Sequence, residues 1–210
     1  MPSSSSPKAQ DSTGHDAATM RLWDETERGM WRAIIVLAAL LLPCIAIAQS
    51  GSESLFDPVT GYRIVHYRGV VAKAPEGVER IDTTRARALW RTGAIFIDVN
   101  PAPGAVRDDA TGRWKLAEPH PSVPGVYWFP ETGRGTLEPA IERHFLEGVS
   151  KLSRAHPAKA IVVFCQADCW MSWNAALRLH RAGFTKIVWF ADGLDGWKEA
   201  SLPVAFATPF

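Results

Sequence analysis

The feature of the sequence that most constrains the fold is an apolar run, IVVF at 161–164, which leads through a cysteine-containing loop into a helix-like segment at 172–181. The length and β-branched content of the run are typical of a buried strand. The loop residues are Cys165, Gln166, Ala167, Asp168, Cys169 and Trp170. A cysteine between a strand and a helix N-terminus lies where backbone N–H groups and the helix dipole favour a thiolate. We therefore predict sulfur chemistry at Cys165, with Cys169 as the second thiol of a candidate dithiol.

Apolar strands and helical patterns alternate through the second half of the sequence. Strands are predicted at 94–99, 126–129, 161–164 and 186–190, and helices from Thr83 or Thr84 to Trp90, at 138–155, at 172–181 and after Asp192. This alternation is typical of an α/β fold with a parallel sheet flanked by helices. Ligands of such folds bind beyond the carboxyl ends of the strands, which is the position of Cys165.

The first 48 residues form a leader with a different composition. A polar, Ser-rich start is followed by Arg32, an apolar core at 33–42 and the small-residue site Ala46-Ile47-Ala48. This order is typical of a secretory signal peptide, so we expect cleavage after Ala48 and a periplasmic protein without a membrane span. An uncleaved anchor is the alternative, although the apolar stretch 33–48 is shorter than the ~20 residues that a spanning helix needs. Cys44 follows Pro43 rather than a small residue, which argues against a lipoprotein site.

Residues 49–80 are predicted to form a small N-terminal extension packed on a main domain that covers 81–210. The run YRIVHYR at 62–68 lies between two glycines and predicts a short strand within this extension. The formal net charge is +1, and basic and acidic residues are interleaved without a basic stripe. This pattern argues against a nucleic-acid partner.

The order of several short motifs between Ile81 and Val204 resembles the rhodanese-like domain family. The matching residues are Ile97-Asp98-Val99, Pro124-Gly125, Val162-Val163-Phe164-Cys165, Ser172, Ala175-Ala176, Gly183-Phe184, Gly193, Gly196-Trp197 and Leu202-Pro203-Val204. The segment CQADCWMSWN at 165–174 is similar to the signature of a narrower group, the exported proteins named for a Cys-Trp motif and associated with PQQ-dependent alcohol catabolism. The resemblance implies the rhodanese-like fold and, for the narrower group, a pathway rather than a reaction.

Resemblance to rhodaneses implies that Cys165 is the nucleophile that carries a sulfane sulfur as a persulfide. The typical loop reads Cys-x-x-Gly-x-Arg before the serine that starts the helix. Here Asp168 stands at the Gly position, Trp170 stands at the Arg position, and Ser172 comes one residue late. The arginine normally binds an anionic substrate or the persulfide through charge-assisted hydrogen bonds. Its loss argues against efficient sulfur transfer from thiosulfate to cyanide and against a phosphatase activity.

Three classes of role remain open for the cysteine pair. In the first, Cys165 is a reactive thiolate and Cys169 resolves its adducts. In the second, the pair is a structural disulfide, which stabilises little because the closed loop is short. In the third, the pair helps to hold a cofactor. No metal is predicted, because two thiols make half a zinc site and no histidine stands at ligand spacing. Haem attachment is excluded, because it needs Cys-x-x-Cys-His.

The pocket residues expected around the cysteines are Gln166, Ala167, Asp168, Trp170, Met171, Ser172 and Asp98. Trp170 is either a packing residue or a flat face for an aromatic or quinone ligand, which makes PQQ or another redox cofactor a candidate without requiring one. Asp98, at the end of a predicted strand, is expected to cap a loop or orient the backbone. No Ser-His-Asp pattern is evident, and the sequence gives His66 and His120 no geometry.

These patterns predict an exported α/β protein that carries out thiol redox or sulfur-relay chemistry on Cys165, with Cys169 as resolving partner, in association with PQQ-dependent alcohol oxidation. The rival prediction is a non-catalytic rhodanese-like binding module. Such a module uses the same pocket for a redox cofactor or for a partner, either a periplasmic quinoprotein dehydrogenase or a c-type cytochrome. The missing loop arginine weakens the enzyme prediction and leaves the binding module unaffected.

Overall fold

The computed structural model describes residues 54–210. The predicted leader, the cleavage site after Ala48 and Cys44 therefore lie outside the described residues, as do the first residues of the predicted extension. Within 54–210, no helix has both the length and the apolar content that a membrane crossing requires.

The apolar runs form the centre of a five-stranded sheet in which all neighbouring strands are parallel. In the order in which they lie side by side, the strands are β1 (Glu79–Ile81), β8 (Ile187–Phe190), β7 (Ile161–Phe164), β2 (Ile95–Asp98) and β6 (Tyr127–Trp128). Every residue of the three central strands is buried, because helices cover both faces of the sheet. The predicted α/β fold with a parallel sheet is confirmed.

Two short antiparallel ribbons accompany the sheet. One pairs β3 (Val106–Arg107) with β4 (Trp114–Lys115), and the other pairs β5 (His120–Ser122) with β9 (Ala205–Ala207). The long connection after β2 therefore has secondary structure of its own, and its last strand is held by the C-terminal strand of the chain.

Helices pack on both faces of the sheet. The helices of the described part are α1 (Thr83–Arg91), α2 (Pro139–Ala155), α3 (Trp170–Arg181) and α4 (Gly193–Glu199). One core lies between the sheet and the apolar sides of α2 and α3, and it contains both Cys165 and Cys169. The other core lies between the opposite face and α1 with α4, and Trp197 is its largest side chain.

Some element boundaries differ from those predicted. Asp82, rather than Thr83 or Thr84, caps α1, since its carboxylate accepts the backbone N–H of Arg85 at 2.8 Å. Helix α3 begins at Trp170, two residues before the predicted start. The edge strand β1 was not predicted, because its sequence, ERI, lacks an apolar run. Only its last residue, Ile81, is buried.

The predicted strand at 62–68 is wrong. The segment makes only isolated bridges, between Phe56 and Arg63 and between Arg68 and Cys169. It lies across α3, where the side-chain amide of Asn174 accepts the backbone N–H of Arg63 at 2.9 Å and donates to its carbonyl at 2.8 Å. A helix side chain thus takes the place of the neighbouring strand that would have satisfied this backbone.

Candidate functional site

The cysteine loop lies at the carboxyl edge of the sheet, between the end of β7 and the start of α3, where ligands of parallel sheets bind. Both cysteines are free thiols, and both are buried, with 0% of Cys165 and 5% of Cys169 exposed. The sulfur atoms are therefore reached only through movement of the residues that cover them.

Ser172 surrounds the sulfur of Cys165 with hydrogen-bond partners. Its backbone N–H donates to Sγ at 3.3 Å, and its Oγ lies 3.0 Å from Sγ. The indole N–H of Trp189, on β8, donates to the same Oγ at 3.0 Å. Because the indole is a donor only, the Ser172 hydroxyl is free to donate to a sulfur anion at Cys165. The serine that comes one residue late in the sequence therefore still contacts the first cysteine.

The N-terminus of α4 holds the start of the loop. The backbone N–H of Leu194 donates to the Cys165 carbonyl at 2.8 Å, and the Asp195 carboxylate accepts the N–H of Ala167 at 3.1 Å. Gly193 has a positive φ of 56°, and a Cβ at this position would collide with the Cys165 carbonyl. The loop is thus fixed by an element nearly thirty residues later in the chain.

Burial and mutual coupling shift the pKa values of the two cysteines in opposite directions. Burial raises the pKa of Cys165 well above its ordinary value of 9.0, and the hydrogen bond and negative charge shared with Cys169 raise this pKa further. The hydrogen bond from Cys165 lowers the pKa of Cys169 to about 7, with help from the Met171 N–H and from Arg68. The expectation of a Cys165 thiolate neglected its complete burial, which penalises the charged form more than the helix N-terminus favours it.

Residues before the sheet cover the loop. The Gly69 N–H donates to the Asp168 carbonyl at 2.8 Å, and the Trp170 N–H donates to the Tyr67 carbonyl at 2.8 Å. Between these two bonds, Arg68 is the antiparallel bridge partner of Cys169. The Arg68 guanidinium also donates to Oε1 of Gln166 at 2.8 Å. No sequence motif indicates this contact, because Arg68 and Gln166 lie in separate segments of the chain.

The indole of Trp170 is half-buried and contacts three other side chains. Phe56 and Trp173 contact it edge to face, with ring centroids 5.1 and 5.3 Å away, and the Arg63 guanidinium lies 5.3 Å from its centroid. Since three protein groups already contact the ring, it does not fit the role of a platform for a stacked quinone such as PQQ. Trp170 therefore joins the N-terminal segment to α3.

Of the other predicted pocket residues, Met171 and Ser172 are buried, whereas Gln166 and Asp168 are exposed and Ala167 is half-buried. Asp168 adopts a positive φ of 47°, in the left-handed region that favours glycine. This is the position at which the resembling family has glycine, so the backbone conformation is kept although the side chain differs.

Asp98 lies at the end of the strand next to the cysteine loop, but its side chain belongs to another network. It is fully buried, and its carboxylate accepts hydrogen bonds from the Asn100 N–H at 2.7 Å, His120 Nε2 at 2.7 Å and Ser122 Oγ at 2.5 Å. Ser122 donates to the carboxylate rather than to the imidazole, so these residues do not form a nucleophilic triad. The capping role expected of Asp98 agrees with these contacts.

The Asp98 network borders a separate cavity. A hollow of about 210 Å³ lies beside His120, lined largely by prolines and alanines and by Trp128, on which the imidazole stacks at 4.1 Å. None of the cysteine-loop residues lines it. The structure therefore does not bring Asp98 and the cysteines into one pocket.

A buried arginine of α3, which no sequence motif indicates, connects the helix that follows the cysteine loop to its neighbours. Arg178 of α3 is 3% exposed, pairs with Glu142 at 2.9 Å and donates to the Thr132 carbonyl at 3.0 Å. Its guanidinium also lies 4.4 Å from the ring centroid of Tyr62. It ties α3 to α2 and to the N-terminal segment. Within the described residues, no group of three or more His, Cys, Asp or Glu side chains is arranged to hold a metal ion.

Comparisons with known proteins agree with this architecture. The family model described as the rhodanese-like domain matches residues 87–200. A solved full-length protein from Lactobacillus plantarum is 22% identical with a TM-score of 0.41, and the match covers 61% of this chain and 88% of that one. The polysulfide-sulfur transferase homodimer from Wolinella succinogenes is 23% identical with a TM-score of 0.38, covering 61% and 79%. Among curated proteins, none matches the sequence.

Proposed function

Because this chain belongs to the rhodanese-like domain family, whose model matches more than half of it, we propose that its two cysteines form a sulfur relay at the edge of the sheet. The observation that carries the proposal is the pair itself, two free thiols in one loop, with Cys165 Sγ 3.7 Å from the Cys169 carbonyl and the pKa of Cys169 lowered to about 7. A thiol with this pKa is substantially ionised at neutral pH, and the thiolate is the form that attacks sulfur.

In the first step, the Cys169 thiolate attacks the sulfane sulfur of a donor such as thiosulfate or a polysulfide. A bond forms between the two sulfur atoms, and the rest of the donor leaves as sulfite or a shorter polysulfide with the bonding electron pair. Cys169 then carries a persulfide. The Ser172 N–H donates to the neighbouring Cys165 sulfur and the Trp189 indole donates to the Ser172 hydroxyl, so these donors act on Cys165 rather than on Cys169.

In the second step, the Cys169 persulfide reacts in one of two ways. An acceptor thiolate removes the outer sulfur and restores the Cys169 thiolate. Alternatively, Cys165 attacks the Cys169 sulfur, a disulfide forms, and hydrosulfide leaves with the electron pair and the Cys165 proton. The two cysteines then lose two electrons, and the sulfane sulfur gains them. A thiol or dithiol reductant returns the disulfide to the starting state.

Intact-mass measurement with rapid alkylation tests the relay. Cys165→Ser keeps a hydrogen-bond donor beside Cys169, so after incubation with a sulfane-sulfur donor it should accumulate one additional sulfur atom on Cys169. Cys169→Ser should take up none at neutral pH. The reverse result would return the nucleophile to Cys165, as the family resemblance implies, and an absence of uptake in both variants and the wild type would exclude sulfur-relay chemistry.

A non-catalytic binding module is the second candidate, and the burial of both thiols favours it. With 0% and 5% of the two residues exposed, the loop is closed in this structure, and a reaction requires the side chains that cover the Cys169 sulfur to move. If native Cys169 is not alkylated over hours at neutral pH although the unfolded chain reacts at once, the binding module becomes the better description.

We further propose that the protein acts in the periplasm and serves PQQ-dependent alcohol oxidation, with a quinoprotein dehydrogenase or a c-type cytochrome as partner. The support is the leader pattern before Ala48 and the similarity of the segment 165–174 to the signature of that group. Cell fractionation tests the location. Growth of a Cys165→Ser, Cys169→Ser double variant on an alcohol that requires a PQQ enzyme tests the pathway, and normal growth would contradict a role for the thiols in it.

A further inference from the structure

The cysteine loop itself contains no positive charge. Between Cys165 and Ser172, its one charged residue is Asp168, which is negative. Sulfane-sulfur donors such as thiosulfate and polysulfides are anions, and an anion binds poorly beside an unopposed carboxylate. If the proposed relay uses such donors, a cation has to come from another part of the chain.

Arg68 comes to the loop from outside the family-matched region at 87–200. It is the bridge partner of Cys169, and the hydrogen bonds Gly69 N–H to Asp168 O and Trp170 N–H to Tyr67 O fix the pairing on both sides. Directly opposed residues of an antiparallel pair have side chains on the same side, with Cβ atoms about 5 Å apart. The pairing therefore brings the Arg68 side chain to the Cys169 sulfur.

The Arg68 guanidinium has free capacity to bind an anion. Within the part of the chain that the structure describes, it donates to one oxygen, Gln166 Oε1 at 2.8 Å, whereas a guanidinium has five N–H donors. Among residues 54–210, no carboxylate lies within 4.0 Å of it, and the residue is exposed. Arg63, the other nearby arginine, is 8% exposed and uses its guanidinium on the Val65 and His66 carbonyls. Arg68 is thus the arginine at this loop that a donor reaches.

We propose that Arg68 is a specificity-determining residue of the sulfur relay, supplying from the N-terminal segment the positive charge that binds an anionic sulfur donor beside Cys169. This inference rests on the proposed function. The charge of Arg68 also contributes to the lowered pKa of Cys169. The other charged or titratable groups around Cys169 are Cys165 and the exposed carboxylate of Asp168.

The test compares Arg68→Gln with Arg87→Gln, which removes the same charge from an exposed position on α1, both in the Cys165→Ser background. Sulfur uptake by Cys169 is followed with thiosulfate and with an uncharged dialkyl trisulfide, above the alkylation midpoints of all variants, so that Cys169 is fully ionised. Arg68→Gln should slow uptake from thiosulfate by about tenfold, the value of one charge-assisted hydrogen bond, and leave the uncharged donor little changed. Arg68→Lys, which keeps the positive charge, should take up sulfur from thiosulfate at close to the rate of the protein with Arg68.

Equal slowing with both donors, or an equal effect of Arg87→Gln, would overturn the role of Arg68. Alkylation gives a readout that does not depend on the relay. Arg68→Gln should lower the ratio of the Cys169 rate with anionic iodoacetate to its rate with neutral iodoacetamide. If no variant takes up sulfur but this ratio falls, the proposed function fails while the anion site stands. If the ratio is unchanged, the Arg68 site fails.

Discussion

Two neighbouring strands of the sheet end in buried polar networks that behave differently. At the end of β2, the Asp98 carboxylate accepts four hydrogen bonds, two from Asn100 and one each from His120 and Ser122. At the end of β7, two buried thiols lie in one loop, and the pKa of Cys169 is lowered to about 7. The four hydrogen bonds occupy the Asp98 carboxylate, although the buried Asn100 Oδ1 has no partner among the described residues, whereas the second network keeps a sulfur anion available. We infer that one strand end is structural and the other is reactive.

The separation of the two networks follows from strand alternation. Asp98 pairs with Phe164 across the parallel strands, and Cys165 is the next residue. Successive side chains of a strand point to opposite faces, so Asp98 shares a face with Phe164 and not with Cys165. Adjacency in the sheet therefore does not place the carboxylate and the sulfur in one site.

Removing the Asp98 carboxylate is the change with the largest expected effect on stability. Asp98→Ala leaves the donors of Asn100, His120 and Ser122 buried without an acceptor, and it should lower the free energy of unfolding by about 3 kcal/mol. Urea denaturation measures this. If the two strand ends are independent, the pH midpoint of Cys169 alkylation in the folded variant should stay at its wild-type value.

Ser122→Ala is the matched control, since it removes one of the four donors and should cost about 1 kcal/mol. A shift of the alkylation midpoint in Asp98→Ala, but not in Ser122→Ala, would show that the Asp98 carboxylate influences the pKa of Cys169. The distinction between a structural and a reactive strand end would then be lost.

The central fold could be predicted because its signals are local. The strand at 161–164 is a continuous apolar run and the strand at 94–99 is apolar except for Asp98. The helix at 138–155 has one apolar face, and the structure has this helix at Pro139–Ala155. The strand predicted at 62–68 failed because the Asn174 side chain of α3, rather than another strand, accepts the backbone N–H of Arg63.

The site was harder to predict, because its properties depend on pairs distant in sequence. Arg68 meets the loop about one hundred positions later, and His120 and Ser122 meet Asp98 after the long connection. The position of the cysteine loop follows from one strand–helix junction. The order in which the two thiols ionise depends instead on burial, which a single sequence does not give for a loop residue.

The hydrogen bond between the cysteines is the next test of the reactive strand end. Cys165→Ala removes the donor that contributes most to the lowered pKa of Cys169, so the midpoint of the pH–alkylation profile should rise from about 7 towards the ordinary value of 9.0. Because the thiolate is the reacting form, alkylation of this variant at pH 7 should be slower than that of the wild type. Stopped-time alkylation with mass detection measures the profile.

Cys165→Ser serves as the control, since its hydroxyl can donate to Cys169 as the thiol does. Its midpoint should stay near that of the wild type. If the Ala and Ser variants have the same midpoint, a hydrogen bond from residue 165 does not set the pKa of Cys169. The inference that the end of β7 is the reactive strand end then loses this support.

The smallest expected effect concerns a second aspartate, Asp168, which differs from Asp98 in what the fold requires of it. Asp98 is required for its carboxylate, whereas Asp168 is exposed and has a left-handed backbone, with φ of 47°. This conformation costs an ordinary L-residue about 1 kcal/mol or more, and it costs glycine nothing. Asp168→Gly should therefore be at least as stable as the wild type, and Asp168→Ala should be about 1 kcal/mol less stable than Asp168→Gly. Both variants lose the same carboxylate, so their difference in urea midpoint measures the cost of the left-handed backbone conformation alone.

Equal midpoints would mean that residue 168 is not held in the left-handed region. The loop would then be less rigid than the hydrogen bond from the Gly69 N–H to the carbonyl of residue 168 indicates.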